Sequence, residues 1–347
     1  MPSCPGEMVR ISFMVAHEQV NSRDLLKDVA LMEENGLERC WSSDHYMPWW
    51  HTGASGGATW PWLGAALART DDIQVGTSVT APILRYNPAI VAQVFATLDS
   101  MFPGRTFLTV GTGESLNEVP TGNPWPPYPE RLGRLKEAMH IIKRLGSEDW
   151  VDFEGTYYTM KKSNLYTKPE TKIPLYVAAL GSQSAELAGS EGDGLVTNEL
   201  NPNLIKERLL PAFERGARQA GKDPDSMLKA VLMPASYDED RQKALEAIGY
   251  WKGAAIKAFF DVNYPDPRDI EENGQAVGND TLEKTMLVIS SAEEGIKKLQ
   301  KYADLGFTDI ILVNSSPDRA RFIELVAGQI APAFEGAAGE PVTTTEA

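Results

Sequence analysis

The sequence predicts an α/β protein of one domain, a closed (β/α)8 barrel, and three observations lead to this fold class. Short β-rich runs alternate with stretches of helical periodicity along most of the 347 residues. Eight such units over this length favour a closed barrel above an open doubly wound sheet, although length alone also allows two domains. The first strand-to-helix turn, residues 16–19, lacks the G-x-G-x-x-G fingerprint of a dinucleotide-binding sheet.

Each predicted strand is a short apolar run, and a helix follows it. The strands span residues 9–16, 37–43, 73–79, 106–110, 174–179, 194–197, 229–233 and 309–313. The helices span residues 22–36, 60–69, 89–101, 130–145, 182–189, 204–220, 291–306 and 319–330. Such alternation implies parallel strands joined by right-handed crossovers, the arrangement of a TIM barrel.

Several helix ends carry their own signals. Ser22 is predicted to be the N-cap of the first helix, and Gly36 the glycine that ends it. Further along, Ser291 and Glu294 form an S-x-x-E capping box, and Gly306 ends the helix that follows.

Two segments interrupt the alternation. Residues 150–169 have the pattern of a hairpin, and residues 261–279 form a polar stretch with Pro and Gly. We therefore predict a single domain over residues 8–335 with insertions at about 150–170 and 254–285. The tail, residues 336–347, is predicted to be disordered.

Composition excludes several classes of function. The formal net charge of −15 opposes binding to nucleic acid or to anionic lipid. No apolar run approaches the ~18 residues of a membrane span, and the first ten residues do not form a signal peptide. Two cysteines and four scattered histidines predict neither a disulfide framework nor a metal site. We expect a reduced, soluble, cytoplasmic protein.

In a barrel of this kind, functional residues collect at the carboxyl ends of the strands. The second strand is followed by Asp44, His45 and Trp49, the third ends at Thr77-Ser78-Val79, and the fourth leads to Glu114. Each element also has a structural explanation: Asp44 as a helix cap, Glu114 as a first-turn acid and Trp49 as packing. Because three adjacent strands deliver these residues to the same rim, we favour an acid–base site beside an aromatic wall.

These motifs together resemble a known family. Ser-Asp-His with Trp49, Thr77-Ser78-Val79, the run Arg85-Tyr86-Asn87-Pro88-Ala89, and Gly111-Thr112-Gly113-Glu114 followed by Asn117-Glu118 are similar to the luciferase-like flavin and deazaflavin barrels. Within that superfamily the chain resembles the F420-dependent glucose-6-phosphate dehydrogenase group, over roughly residues 9–334.

The resemblance implies a TIM barrel that binds coenzyme F420, with its deazaflavin ring in the barrel mouth. The positions that would contact the ring are Asp44, Thr77, Ser78, Val79, Thr112, Gly113 and Asn117. The peptide between Ser78 and Val79 is expected to be cis. The cofactor phosphate would lie at Leu180, Gly181 and Ser182, where the backbone of a helix N-terminus suits an anion. Leu180 replaces a glycine that is usual in the family.

The resemblance also implies catalytic roles. His45 is the candidate base for a substrate hydroxyl, because imidazole accepts protons near neutrality. Glu114 would supply a proton to the reduced cofactor, Trp49 would orient the substrate, and Glu18 would bind substrate or base. The roles of His45 and Glu114 could be reversed.

The substrate is where the chain departs from the group. Relatives that use glucose-6-phosphate hold its phosphate with two lysines and an arginine, whereas Glu199, Asp261 and Thr285 align there, near Thr197. These positions favour an uncharged alcohol or unphosphorylated sugar. A shifted alignment could restore a cation from Lys252, Lys257 or Lys284.

Three alternatives stay open at this point. The first is an F420-dependent sugar-6-phosphate dehydrogenase, and the second an FMN-dependent luciferase-like monooxygenase. The third is a flavin-binding relative without turnover. The resemblance further implies a homodimer.

Overall fold

The computed structural model describes residues 9–256 and 258–335, with the backbone alone at Asp261 and Glu335. Cys4 and the predicted tail lie outside the described residues. Eleven strands are present in this part of the chain: β1 (Arg10–Val15), β2 (Arg39–Ser42), β3 (Gln74–Thr77), β4 (Thr106–Val110), β5 (Val151–Glu154), β6 (Thr159–Ser163), β7 (Leu175–Ala178), β8 (Gly194–Thr197), β9 (Leu228–Tyr237), β10 (Leu287–Ile289) and β11 (Asp309–Asn314).

Helices follow the strands as the periodicity predicts. They are α1 (Ser22–Glu34), α2 (Thr59–Arg69), α3 (Pro88–Met101), α4 (Ser115–Glu118), α5 (Tyr128–Ser147), α6 (Ser182–Glu191), α7 (Pro202–Leu204), α8 (Leu210–Gln219), α9 (Arg241–Ala247), α10 (Ala258–Asp261), α11 (Pro267–Gly274), α12 (Asn279–Thr285), α13 (Ala292–Asp304), α14 (Arg319–Leu325) and α15 (Pro332–Glu335). A π-helical turn, Ile205–Leu209, joins α7 to α8, and another, Val326–Ile330, follows α14.

Eight parallel strands close into a barrel, so the predicted fold class is confirmed. Their order is β1, β2, β3, β4, β7, β8, β9 and β11, and β11 pairs with β1 to complete the ring. The short strand β10 pairs with the outer end of β9 at Ala235–Tyr237. The sequence did not predict β10, because a run of three residues carries too little periodicity.

The amino-terminal end of the barrel is filled by a buried polar cluster. Arg39 Nη1 lies 3.2 Å from Asp309 Oδ2, and both side chains are nearly inaccessible to solvent. The guanidinium carbon of Arg39 also lies 5.2 Å from the centre of the Phe107 ring and 5.7 Å from that of Trp41. Because side chains occupy this end of the barrel, a ligand site is expected at the carboxyl ends of the strands.

Most of the predicted helix ends are confirmed, and one is wrong. Asn21, not Ser22, caps α1, since the Asn21 side chain accepts the Asp24 N–H at 3.1 Å. Gly36 and Gly306 adopt the positive φ angles of 79° and 86° that suit glycine at a helix end. Ser291 accepts the Glu294 N–H at 3.2 Å, as predicted.

The two interruptions have different structures. Strands β5 and β6 pair as an antiparallel hairpin at the position of the first insertion. The second insertion consists mainly of the short helices α10, α11 and α12. Within the described residues, no helix combines the length and apolar character needed to cross a membrane.

Candidate active site

The loops after β2 and β4 bring together a histidine, a carboxylate and an indole. His45 Nε2 lies 3.5 Å from Glu114 Oε2. The ring centres of His45 and Trp49 are 6.3 Å apart, and both residues belong to the loop after β2. Three of the four catalytic candidates, His45, Trp49 and Glu114, are therefore neighbours at the carboxyl end of the barrel.

Asn117, in helix α4, links these two loops. Its side-chain oxygen accepts the backbone N–H groups of Tyr46 at 2.8 Å and of Met47 at 3.2 Å. Its side-chain nitrogen donates to Glu114 Oε2 at 3.1 Å. The two backbone donors fix the orientation of the amide, because a flipped amide would face them with a donor. Asn117, expected from the resemblance to contact a cofactor ring, thus holds both the histidine loop and the carboxylate.

Nδ1 of His45 faces one acceptor and one donor. It lies 3.1 Å from the carbonyl oxygen of Met47, which can only accept a hydrogen bond, and 3.3 Å from Asn117 Nδ2, which can only donate one. The shorter contact, with Met47, favours the neutral tautomer that carries its proton on Nδ1. In this tautomer Nε2, which faces Glu114, is the atom that can take up a proton.

The pKa values of His45 and Glu114 are both raised by their surroundings, so both groups keep their protons to higher pH. Burial lowers the pKa of His45, but the negative charges of Glu18 and Glu114 raise it more, so that the net shift is upward. Burial raises the pKa of Glu114, and the charge of Glu18 adds to this effect, while His45 and Arg85 oppose it.

Glu18 belongs to the same electrostatic group although it follows β1. Its carboxylate accepts a hydrogen bond from the Ser43 hydroxyl, which in turn accepts the His17 N–H at 2.9 Å. The backbone oxygen of Glu18 accepts the Ser55 N–H at 3.0 Å, which ties the loop after β2 over this carboxylate. Glu18 is 2% exposed, so its charge acts on His45 and Glu114 with little screening by water.

The peptide between Ser78 and Val79 is cis, as the resemblance implies. Ser78 N donates to the Ser42 oxygen at 2.8 Å, and the Thr77 hydroxyl points to the Thr109 oxygen at 3.4 Å. The Ser78 hydroxyl is buried and has no hydrogen-bond partner within the described part of the chain. A Cβ atom at Gly111 would lie only 2.8 Å from Val79 Cγ1, so glycine is required for this close approach.

The carboxylate of Asp44 is held by three donors from the segment after β3. Thr80 donates at 2.7 Å, the Tyr86 hydroxyl at 3.0 Å and Arg85 Nη2 at 3.2 Å. The sequence analysis expected Asp44 to contact a cofactor ring and gave Arg85 and Tyr86 no role. The two residues belong to the run Arg85-Tyr86-Asn87-Pro88-Ala89, which carries part of the family resemblance. Their partner, Asp44, is distant in the sequence, so no local pattern predicts the contact.

A cavity of about 560 Å³ opens beside Asp44 and His45. Its lining residues are Asp44, His45, Tyr46, Gly56, Ala58, Leu84, Arg85, Tyr86, Thr121 and Asn123. Thr112 and Gly113 lie in the turn between β4 and Glu114, where Gly113 has a φ of 70°.

The second insertion forms one wall of the site. The Trp49 ring lies 4.8 Å from the ring of Phe260, centre to centre. The Ser115 hydroxyl, directly after Glu114, donates to the Val262 oxygen at 3.2 Å and accepts the Tyr264 N–H at 2.8 Å. The sequence analysis did not identify Phe260 or Tyr264, because an irregular polar stretch gives no sign of where it packs.

The remaining predicted positions lie on other loops. Gly181 precedes helix α6, and no side chain caps this N-terminus; Leu180 beside it is 47% exposed. Thr197 ends β8, and its hydroxyl accepts the N–H of Glu199, which is 6% exposed. The Thr285 hydroxyl donates to the Thr281 oxygen at 2.7 Å within α12, and Asp261 lies in α10.

A closed parallel barrel with a partly buried pair of histidine and carboxylate at the carboxyl ends of its strands is typical of TIM-barrel enzymes. The chain belongs to the luciferase-like monooxygenase family, whose model matches residues 8–309.

Several proteins of named function are similar to this chain. The chain is 38% identical to an F420-dependent glucose-6-phosphate dehydrogenase of Beutenbergia cavernae, over 94% of this chain and 97% of that protein. It is 36% identical to the protein of the same name from Nakamurella multipartita, over 96% and 98%. A solved structure of an F420-dependent secondary alcohol dehydrogenase with an F420–acetone adduct is 39% identical, with a TM-score of 0.91 over 94% of this chain and 99% of that chain.

Proposed function

We propose that the protein is an F420-dependent oxidoreductase that moves a hydride between the cofactor and the carbinol carbon of an uncharged alcohol or unphosphorylated sugar. The observation that carries this proposal is the pair of His45 and Glu114, 3.5 Å apart beside Trp49. The names of the relatives support F420 as the cofactor.

The residues at the barrel mouth fit such a cofactor. Ser78 offers a buried hydroxyl without a partner in the described part of the chain, which suits the polar edge of a flat ring. Gly111 lets the cis peptide and Val79 approach the loop after β4 closely. Gly181 and Ser182 begin the ten-residue helix α6, whose free backbone N–H groups suit a phosphate. When bound, F420 supplies a two-electron carrier that accepts or releases a hydride.

His45 is the candidate base in alcohol oxidation. In the tautomer that the Met47 oxygen favours, the ring proton is on Nδ1, and Nε2 can take the proton of a substrate hydroxyl. The Glu18 carboxylate stabilises the imidazolium that forms, and the Glu114 carboxylate does so once Glu114 has given up its proton. Glu114 is the candidate acid, because burial raises its pKa and lets it keep a proton to higher pH.

Charge and shape favour a substrate without a phosphate. Glu199 is nearly inaccessible at the end of β8, where the sugar-phosphate enzymes of the group would carry a cation. A carboxylate in this position would repel a dianion. The Trp49 and Phe260 rings add an apolar surface that suits a carbon chain.

A sugar-6-phosphate dehydrogenase is the second candidate, favoured by the names of the curated relatives. Of the nearby lysines, Lys252 is half-buried and Lys284 is exposed, whereas Lys257 lies outside the described residues. An FMN-dependent monooxygenase is a third candidate, favoured by the description of the family model.

Two measurements separate these candidates. Equilibrium binding of F420 and of FMN to the purified protein should give tighter binding of F420, and preference for FMN would contradict the proposal. Loss of the visible absorbance of F420 should then occur with secondary alcohols or glucose and not with glucose-6-phosphate. Turnover with glucose-6-phosphate alone would overturn the substrate assignment.

A variant sharpens the substrate test. Glu199→Lys should increase kcat/KM for a sugar phosphate relative to that for an uncharged alcohol, because it replaces a repulsive charge with an attractive one. Glu207→Lys makes the same charge change at an exposed position and should leave the ratio unchanged.

The homodimer and the cytoplasmic location stay predictions, and light scattering of the purified protein tests the first.

A further inference from the structure

A buried ion triad involves residues that are close in the chain to the proposed catalytic pair. Arg85 Nη2 donates to the Asp44 backbone oxygen at 2.6 Å and to Asp44 Oδ1 at 3.2 Å. The Arg85 backbone N–H donates to Glu118 Oε2 at 2.9 Å, and Arg85 Nε lies 3.8 Å from Glu118 Oε1. The side chains of Asp44, Arg85 and Glu118 are all at most 6% exposed.

The triad connects the loops after three successive barrel strands. Asp44 directly precedes His45 in the loop after β2, and Glu118 lies four residues after Glu114, at the end of α4. Arg85 belongs to the segment between β3 and α3. Arg85 therefore joins the two sides of the site: its side chain binds Asp44, next to the proposed base, and its backbone N–H and a 3.8 Å ion pair reach Glu118 in the short helix after the proposed acid.

The cost of this arrangement argues for a positional role. Burial of one guanidinium between two carboxylates contributes little to stability compared with an apolar core, and such groups serve best to fix one geometry. The guanidinium group suits this role, because its planar geometry directs Nη2 at Asp44. The backbone N–H of Arg85 binds the second carboxylate, that of Glu118. A lysine would keep the charge but not the direction.

We propose that Arg85 is a positioning residue that sets the separation of His45 and Glu114 by tying the loop after β2 to helix α4. The role rests on the proposed function only through the assignment of that pair to catalysis. Arg85 does not bond to either member of the pair, unlike Asn117, so it acts through Asp44 and Glu118.

The test uses Arg85→Lys with a readout that does not depend on the cofactor. The chain has four histidines, so imidazole NMR signals of the cofactor-free protein can be titrated individually, and loss of one signal in His45→Gln assigns His45. Three charged groups act on His45: Glu18, Glu114 and Arg85. If His45 and Glu114 move apart while residue 85 keeps its positive charge, the negative charge of Glu114 acts less on His45. The pKa of His45 should then fall.

The kinetic readout is the split between kcat and KM. In Arg85→Lys, kcat with the best alcohol should fall about 10- to 100-fold because a small misplacement of reacting groups is costly, while the substrate KM changes far less. Arg10→Lys is the matched control, since Arg10 pairs with Glu38 on the surface at the start of β1. It should leave the His45 titration and kcat unchanged.

A second variant guards against loss of folding. Burial raises the pKa of Glu118 to about 7, so the isosteric Glu118→Gln resembles a form that the native protein already populates, and it keeps the oxygen that accepts the Arg85 N–H. It removes the negative charge that lies 3.8 Å from Arg85 Nε, so the tie between Arg85 and α4 weakens and the pKa of His45 should also fall. A native His45 titration in a folded Arg85→Lys or Glu118→Gln protein overturns the proposal. Because the NMR result needs no turnover, it is independent of whether F420 is reduced by any alcohol.

Discussion

The side-chain nitrogen of Asn117 donates a hydrogen bond to Glu114 Oε2 at 3.1 Å. The oxygen of the same amide accepts two backbone N–H groups from the loop that carries His45. One short side chain thus fixes the proposed acid and the loop of the proposed base together. The pair is built into the protein and does not depend on a ligand to assemble it, which is the condition for efficient proton transfer.

Replacement of Glu114 should change the pH dependence of turnover. In Glu114→Gln, His45 loses a negative neighbour that raises its pKa, so the pH at which His45 becomes deprotonated should fall. Because the base acts when deprotonated, the acid limb of the kcat profile for alcohol oxidation should move to lower pH. The maximal kcat should also fall, by about 10²- to 10⁴-fold if Glu114 is the acid. An acid limb at its native position would contradict this account.

Removal of the Asn117 amide should lower the stability of the folded protein. Asn117→Leu leaves the N–H groups of Tyr46 and Met47 without their acceptor, at a cost of about 1–3 kcal/mol in the free energy of unfolding. Denaturant unfolding measures this loss. The exposed Asn35→Leu, at the end of α1, is the control and should cost less. If Asn117→Leu is as stable as that control, the amide does not hold the loop.

A methyl group at Gly111 should weaken cofactor binding. The added Cβ would lie 2.8 Å from Val79 Cγ1 and must displace the segment that contains the cis peptide. We expect at least a several-fold increase in the Kd of F420 in Gly111→Ala, measured by equilibrium titration. Gly64→Ala is the matched control, because its Cβ would meet only Leu98 Cδ2, at 3.9 Å. Native affinity in Gly111→Ala would exclude this segment from the cofactor site.

The polar cluster at the opposite end of the barrel should matter for stability alone. Arg39→Met leaves Asp309 buried without its cation, and we expect a loss of about 3–5 kcal/mol at neutral pH. Burial already raises the pKa of Asp309, and loss of Arg39 raises it further. The carboxyl group is tolerated when protonated, so the loss should be small at acid pH and grow as pH rises through the folded-state pKa.

The control for this prediction is the double variant Arg39→Met/Asp309→Asn. It removes the unpaired charge, so at neutral pH it should be more stable than Arg39→Met, and its stability should not share that dependence on pH. A loss in Arg39→Met that is the same at all pH values would mean that packing, not charge, is responsible.

All eight barrel strands and most of the helices between them were predicted from the sequence, since periodicity, caps and turn glycines are recorded in neighbouring residues; helix α9 was not predicted. His45 and Trp49 after the second strand and Glu114 after the fourth were expected at one rim, because parallel strands bring their carboxyl ends together. The three-residue strand β10 and the helical form of the second insertion were not predicted. Such short segments have little regular pattern of their own, and contact with the barrel stabilises them.

By itself, the sequence determined the barrel, the rim that carries the chemistry and the residue types available there. Only the tertiary structure decided the 3.5 Å separation of His45 and Glu114 and the link through Asn117. It alone placed Arg85 between Asp44 and Glu118, and Phe260 behind Trp49. The physical reason is that backbone preferences act between residues close in the chain. Contacts between residues tens to hundreds of positions apart depend on how the whole barrel packs.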